Sequence, residues 1–237
     1  MARIILIHGA WGNALNWVSI TPALKAAGHT VEALDLPGHG KNGAPSGAIG
    51  QGDYADYVEA RLLTGPPAML VGHSMGGMVV AQVAGRQPAH VTKAVFITAL
   101  LPRDGESLLG LIRQHDAPGV QASVRPGPVP GTTVLDPSAA AALFPDAPAK
   151  LAAAAMNAMS PQSNKAQMDP VSIAPGFARV PRAYIHCSQD QVVVPALQHQ
   201  MVAATPCEST VTMDCGHVPQ LTRPQELAEI LLGIAAA

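Results

Sequence analysis

Three residues able to do covalent chemistry stand in three separate loops: Ser74 in GHSMGG, Asp190 in CSQDQVV and His217 in DCGHVPQ. A serine hydroxyl is a poor nucleophile until a base takes its proton, and an imidazole does this best when a carboxylate fixes its tautomer. The order serine, acid, histidine fits a set delivered by loops at the ends of successive strands of a parallel sheet. The chemistry implied is acyl transfer: Ser74 attacks a carbonyl, His217 accepts its proton and Asp190 stabilises the imidazolium. Asp104, in LPRDGESL, also follows a strand and is an alternative acid, whereas Asp214 is expected to serve loop hydrogen bonds.

The surroundings of Ser74 support this reading. The apolar run AMLV (68–71) ends directly before it, and a helix-forming segment starts near Met75. Reversing from strand to helix within about three residues forces the central residue to positive φ and lifts its side chain clear of the backbone. Residues two positions to either side must then lack a Cβ, and Gly72 and Gly76 occupy those places in a G-x-S-x-G pattern. Gly77 would let the helix pack closely on the sheet. A tetrahedral oxyanion needs preorganised N–H donors. The amide of Met75, at a helix N-terminus, is one candidate. The amide of Ala10, in HGAW after the first strand, is the other. His73 is expected to point away from the site and to pack or hydrogen-bond locally; His39 and His186 have no assigned partner.

The elements that must position these residues are short aliphatic runs alternating with helix-length segments, the pattern of a parallel sheet covered on both faces. Six strands are expected at 3–8, 30–34, 68–72, 91–98, 182–187 and 210–213, with helices at 15–27, 52–63, 75–86, 195–204 and 223–234. The alternation breaks between about Pro102 and Val180. Proline and glycine in VRPGPVPG argue against strand pairing there, and the alanine runs SAAAALF and KLAAAAMNAM favour short helices. A small helical insertion is therefore expected, with Leu143, Phe144, Met156 and Met159 lining a pocket or packing the insertion down.

Composition narrows the functional classes. With 237 residues, 48% of them apolar and 13% charged, the chain is expected to build one domain with a large core. A net charge of −2 without a run of Lys or Arg argues against nucleic acid or an anionic membrane as partner. Ile4–Ile7 reads as a strand of the fold, being too short for the core of a signal peptide or a membrane span. Cys187, Cys207 and Cys215 are odd in number and lack a CxxC spacing. They read as reduced thiols in a cytoplasmic protein, with no metal site and no cofactor implied.

The blocks LIHGAWGNALNW, LKAAGHTVEALDLPGHG, LVGHSMGGMVV, AVFITALLP, YIHCSQDQVVVP and MDCGHVPQL together resemble the α/β-hydrolase superfamily. More narrowly, they are similar to the plant methylesterase and hydroxynitrile lyase group and its bacterial relatives. The resemblance covers most of the chain outside 103–178, which would be the cap. It implies an α/β-hydrolase fold, the triad Ser74, Asp190 and His217, oxyanion donors Ala10 and Met75, and a possible homodimer. Lyases of this group carry a threonine after the first-strand histidine and a lysine after the catalytic histidine. Gly9 and Val218 occupy those positions here, which disfavours cyanohydrin cleavage. The resulting expectation is hydrolysis of a small, largely apolar carboxylic ester, with Gly9, Trp11, Leu101, Phe144, Met156, Met159 and Val218 around the substrate. Lactone or carbon–carbon bond hydrolysis on the same triad, and a non-catalytic ligand receptor, are the alternatives.

Overall fold

A computed structural model describes residues 1–116 and 119–236. The first part of the chain forms β1 (Arg3–Ile7), α1 (Thr21–Ala26), β2 (Thr30–Leu34), α2 (Gln51–Leu62), β3 (Ala68–His73), α3 (Gly76–Arg86) and β4 (Val91–Ile97). An intervening segment carries α4 (Leu108–Ile112), β5 (Val124–Pro126), β6 (Thr132–Leu135), α5 (Ala140–Leu143), α6 (Ala149–Asn157), β7 (Gln162–Ser163) and α7 (Asn164–Met168). The chain then returns through β8 (Arg182–Cys187), α8 (Pro195–Ala204), β9 (Ser209–Met213), α9 (Pro219–Thr222) and α10 (Pro224–Ala236). No helix among the described residues is long and apolar enough to cross a membrane.

Six strands pair in the order β2-β1-β3-β4-β8-β9, all parallel. Side chains on a strand alternate between faces, so β1 splits its aliphatics in two. Ile5 and Ile7 enter a core shared with Tyr54 and Val58 of α2, the apolar residues of α3, and Leu197 and Met201 of α8. Ile4 and Leu6 enter a second core with Leu24 of α1, Met213, and Leu227 and Leu231 of α10. Both faces of the sheet are thereby buried, which is why β3 is buried along its whole length.

Two local expectations are corrected. The helix expected over 15–27 is two pieces, a 3-10 turn at Ala14–Trp17 capped by the Asn13 side chain, and α1, which restarts with Pro22 in its first turn. The 103–178 segment is not purely helical: β5, β6 and β7 form an antiparallel sheet, with Val124 opposite Leu135 and Thr133 opposite Gln162. Proline is excluded from the middle of a sheet but tolerated at the end of an edge strand. Pro126 closes β5, the Gly127 amide donates to the Thr132 carbonyl at 2.8 Å, and Gly131 turns back at φ +77°. The proline–glycine run makes the hairpin.

Sheet and helix come very close at the start of α3. A Cβ on Gly76 would stand 2.5 Å from the Ile7 carbonyl oxygen, so α3 can lie against β1 only with glycine there. Gly76→Ala is expected to destabilise the fold by about 1–3 kcal/mol, the usual cost of overpacking, read as a lower urea midpoint with an unchanged slope.

Candidate active site

Ser74 occupies the two-residue turn between β3 and α3 at φ +54°. Such a conformation costs a non-glycine residue on the order of 1–3 kcal/mol and persists only where the surroundings hold it. The Ser74 carbonyl accepts from the Gly77 amide (3.1 Å) and the Leu100 amide (3.0 Å), and its own amide donates to the Ile97 carbonyl (3.3 Å). A Cβ on Gly72 would lie 2.7 Å from the Gly76 carbonyl group. The backbone is pinned on every side, and the side chain is the part left accessible: Ser74 is half-buried while its neighbours are buried.

The loops after β8 and β9 bring the other two residues to it. His217 Nε2 lies 3.1 Å from Ser74 Oγ, and His217 Nδ1–H donates to Asp190 Oδ2 at 2.7 Å. The same carboxylate oxygen accepts from Thr98 Oγ1 at 2.5 Å, and Oδ1 accepts from the amides of Val192 (2.7 Å) and Val193 (3.0 Å). Asp190 and His217 are both buried, at 3% exposure, so their contact is shielded from solvent. The alternative acid stands elsewhere, with Asp104 accepting from the Ile173 amide. Asp214 accepts from Ser188 Oγ and Gln189 Nε2, as loop bonding requires.

His73 does not bond locally. Its Nε2–H reaches across the site to the His217 carbonyl at 2.7 Å, and the two rings stand 4.8 Å apart. Burial pushes its pKa down to about 3, with His217 adding to the shift. Burial also lowers His8 well below the usual imidazole range and lowers His39. His39 Nε2 contacts Gln162, and His186 lies against the ring of His199 at 4.5 Å.

Among the described residues, neither the Ala10 nor the Met75 amide donates to a protein acceptor. Two cavities meet at Ala10 and Ser74. The larger, about 80 Å³, is walled by Trp11, Leu100, Leu108, Ile112, Val120 and Val192. The smaller, about 30 Å³, is walled by Gly9, His73, Phe144, Met159, His217 and Val218. Two expected wall residues stand away from both. Leu101 lies against Arg103, Glu106 and Met201, buried in the core that α3 and α8 share, while the Leu100 amide is tied to the Ser74 carbonyl. Met156 packs within the apolar cluster of the cap. Sequence reasoning passed over Leu108 and Ile112, although the apolar run LLGLI could have pointed to them. It also passed over Thr98, whose role depends on a contact 92 residues away in sequence.

A six-stranded parallel sheet, a serine at the strand–helix turn and an acid and histidine from later loops define a hydrolase class, and the comparisons agree. The model of the alpha/beta hydrolase family matches residues 4–230. The chain is 28% identical over 249 residues to methyl jasmonate esterase 1 of Vitis vinifera, covering 97% of this chain and 95% of that one. A pyrethroid hydrolase from Sphingobium faniae JZ-2 superimposes with a TM-score of 0.86 at 25% identity, covering 100% of this chain and 98% of that one. Polyneuridine aldehyde esterase superimposes at 0.85, also at 25% identity, covering 99% of each chain. The chain belongs to the alpha/beta hydrolase family, and the esterases and hydrolases among its relatives make it a carboxylic-ester hydrolase.

The buried neutral histidines carry a pH signature. A histidine whose folded pKa is depressed binds fewer protons folded than unfolded, so stability is present above the unfolded value near 6.5 and is lost as pH falls. For His73 the loss runs from about 6.5 down toward about 3. Urea midpoints are expected to fall between pH 7 and pH 4.5, and His73→Asn should flatten that dependence.

Proposed function

We propose that this hydrolase cleaves small, largely apolar carboxylic esters through a Ser74–His217–Asp190 triad and an acyl-enzyme intermediate. The observation that carries the reading is the unbroken contact from Asp190 through His217 to Ser74 Oγ, at 2.7 and 3.1 Å, at the junction of two cavities. Ser74 Oγ attacks the ester carbonyl while His217 Nε2 takes its proton. Asp190, held by Thr98 and two amides, keeps Nδ1 protonated and stabilises the imidazolium. The free amides of Ala10 and Met75 receive the oxyanion, the latter aided by the N-terminus of α3. His217 then gives its proton to the departing alkoxide. Water enters, loses a proton to the same nitrogen and attacks the acyl carbon, releasing the acid and restoring Ser74. His73 stays neutral throughout, so no second positive charge opposes the imidazolium beside it.

The two cavities suggest how the ester lies. His217 must protonate the leaving oxygen, and it lines only the smaller cavity, so the alcohol departs there. The larger apolar cavity takes the acyl chain. Among the described residues, no Lys or Arg lines either one, which supports ester cleavage over expulsion of cyanide. A Cβ on Gly9 would stand 2.8 Å from the Ser74 Cβ, so the threonine of the lyases does not fit this backbone.

Ser74→Ala is expected to lower hydrolysis of methyl hexanoate by about 10⁴-fold or more, measured as acid release, with an unchanged circular dichroism spectrum. Undiminished turnover in that variant would overturn the reading. The wild type should prefer the methyl over the tert-butyl ester of the same acid by about tenfold or more in kcat/KM, since one misfitting methylene alone is worth that much. Equal values would place the alcohol in the larger cavity.

A further inference from the structure

The Ala10 amide is held ready by groups that never reach the substrate. It belongs to the Gly9–Ala10 peptide, and in a planar trans peptide the carbonyl and the N–H point opposite ways. Whatever ties the Gly9 carbonyl therefore aims the Ala10 N–H. That carbonyl accepts from the Gly12 amide at 3.1 Å and from His8 Nδ1–H at 2.8 Å. The Leu36 amide donates to His8 Nε2 at 3.1 Å, which fixes the tautomer with the proton on Nδ1.

On the other side of Ala10 the chain is strained. Trp11 sits at φ +56°, a conformation that a bulky residue keeps only under external restraint. Both restraints come from the cap. The Ser160 amide donates to the Trp11 carbonyl at 2.8 Å, and the Trp11 amide donates to Gln162 Oε1 at 3.3 Å. Gln162 is completely buried and lines neither cavity. Its carboxamide is fully engaged: Oε1 also lies 3.1 Å from His39 Nε2, and Nε2 donates to Tyr54 OH at 3.1 Å and to the Ser163 carbonyl at 3.2 Å. Flipping it would set an NH₂ against the Trp11 N–H and an oxygen against the Ser163 carbonyl, so only one orientation satisfies the site.

We propose that Gln162, a cap residue that lines neither cavity, is a positioning residue for the oxyanion hole, holding the Trp11 peptide so that the Ala10 N–H points at the developing oxyanion. The inference rests on the reading of Ser74 as nucleophile and Ala10 as donor. It gives the cap a part in the chemical step as well as in substrate choice. The polar side chains that follow Trp11 are engaged elsewhere: Asn13 bonds Leu15, Ala158 and Ser160, and Asn16 accepts from the Asn13 amide. The cap supplies the acceptor for the Trp11 amide from 151 residues away.

The test is Gln162→Met, which keeps length and volume but removes the acceptor. Active enzyme is counted by fluorophosphonate labelling of Ser74, so that kcat refers to correctly folded protein. A misaimed oxyanion donor should lower kcat by about tenfold to a hundredfold with KM within about twofold, since loss of one donor outright costs more. Affinity for a trifluoromethyl ketone, whose tetrahedral adduct uses the oxyanion hole, should fall by the same factor, while inhibition by the product acid is unchanged. If the variant yields no labelled protein, Gln162→Asn, which withdraws the amide by one methylene, carries the same expectation. A kcat per labelled serine equal to wild type overturns the inference, as does a parallel loss of ketone and acid binding. Wild-type protein that neither turns over nor labels removes the underlying reading, and this inference with it.

Discussion

The structure turns on one backbone reversal. β3 runs in the middle of the parallel sheet and α3 must pack back against it, and only two residues join them. Ser74 takes the conformational cost at φ +54°, and the hydrogen bonds from Gly77 and Leu100 to its carbonyl, with its own amide on Ile97, hold it there. Everything else about the site follows from that constraint. The glycines at 72, 76 and 77 are spaces into which backbone from β1, α3 and the loop after β4 is pressed, and a side chain at any of them would push α3 off the sheet. The same geometry that strains the chain also lifts the serine hydroxyl into a cavity and leaves the Met75 amide free.

Around that fixed point the protein spends its buried polar groups on orientation. Asp190 takes four donors, one from His217, one from Thr98 and two from its own loop, so its carboxylate has a single place to be. Thr98 itself sits at φ +35°, held as the sheet edge turns into the 99–101 segment, with its amide on the Ile185 carbonyl. His73 ties down the backbone of His217, and its burial keeps it uncharged. A charged ring 4.8 Å from that of His217 would oppose the imidazolium that the proposed reaction requires.

The cap is built from a sequence whose prolines and glycines argue against strand pairing. Its proline–glycine stretch forms a hairpin, its alanine runs form short helices, and its last strand places Gln162 beneath the loop after β1. Its apolar residues, Leu143, Phe144 and Val120 among them, close over Trp11 and Val218 to form a third core above the sheet. The cap therefore joins the main body through both packing and buried hydrogen bonds, and the two cavities at Ser74 are the space left between the layers.

What the linear sequence determined is what depends on local rules. Continuous aliphatic runs specify doubly buried parallel strands. Glycine at fixed spacing around Ser74 specifies the sharp reversal, and the order of Ser74, Asp190 and His217 follows from strands that all point one way, so that every following loop emerges at the same edge. What only the tertiary structure decided are relations with no local signature. Leu100 lines the larger cavity at Ser74 and Leu101 does not, and apolar pattern alone does not distinguish them. The cap hairpin gains its third strand, β7, from 29 residues further along the chain, where Gln162 pairs with Thr133 of β6. The bonds from His73 to His217, from Thr98 to Asp190 and from Gln162 to Trp11 span 144, 92 and 151 residues. A side chain's partner across such a distance is set by how the layers pack, and packing is a property of the folded whole.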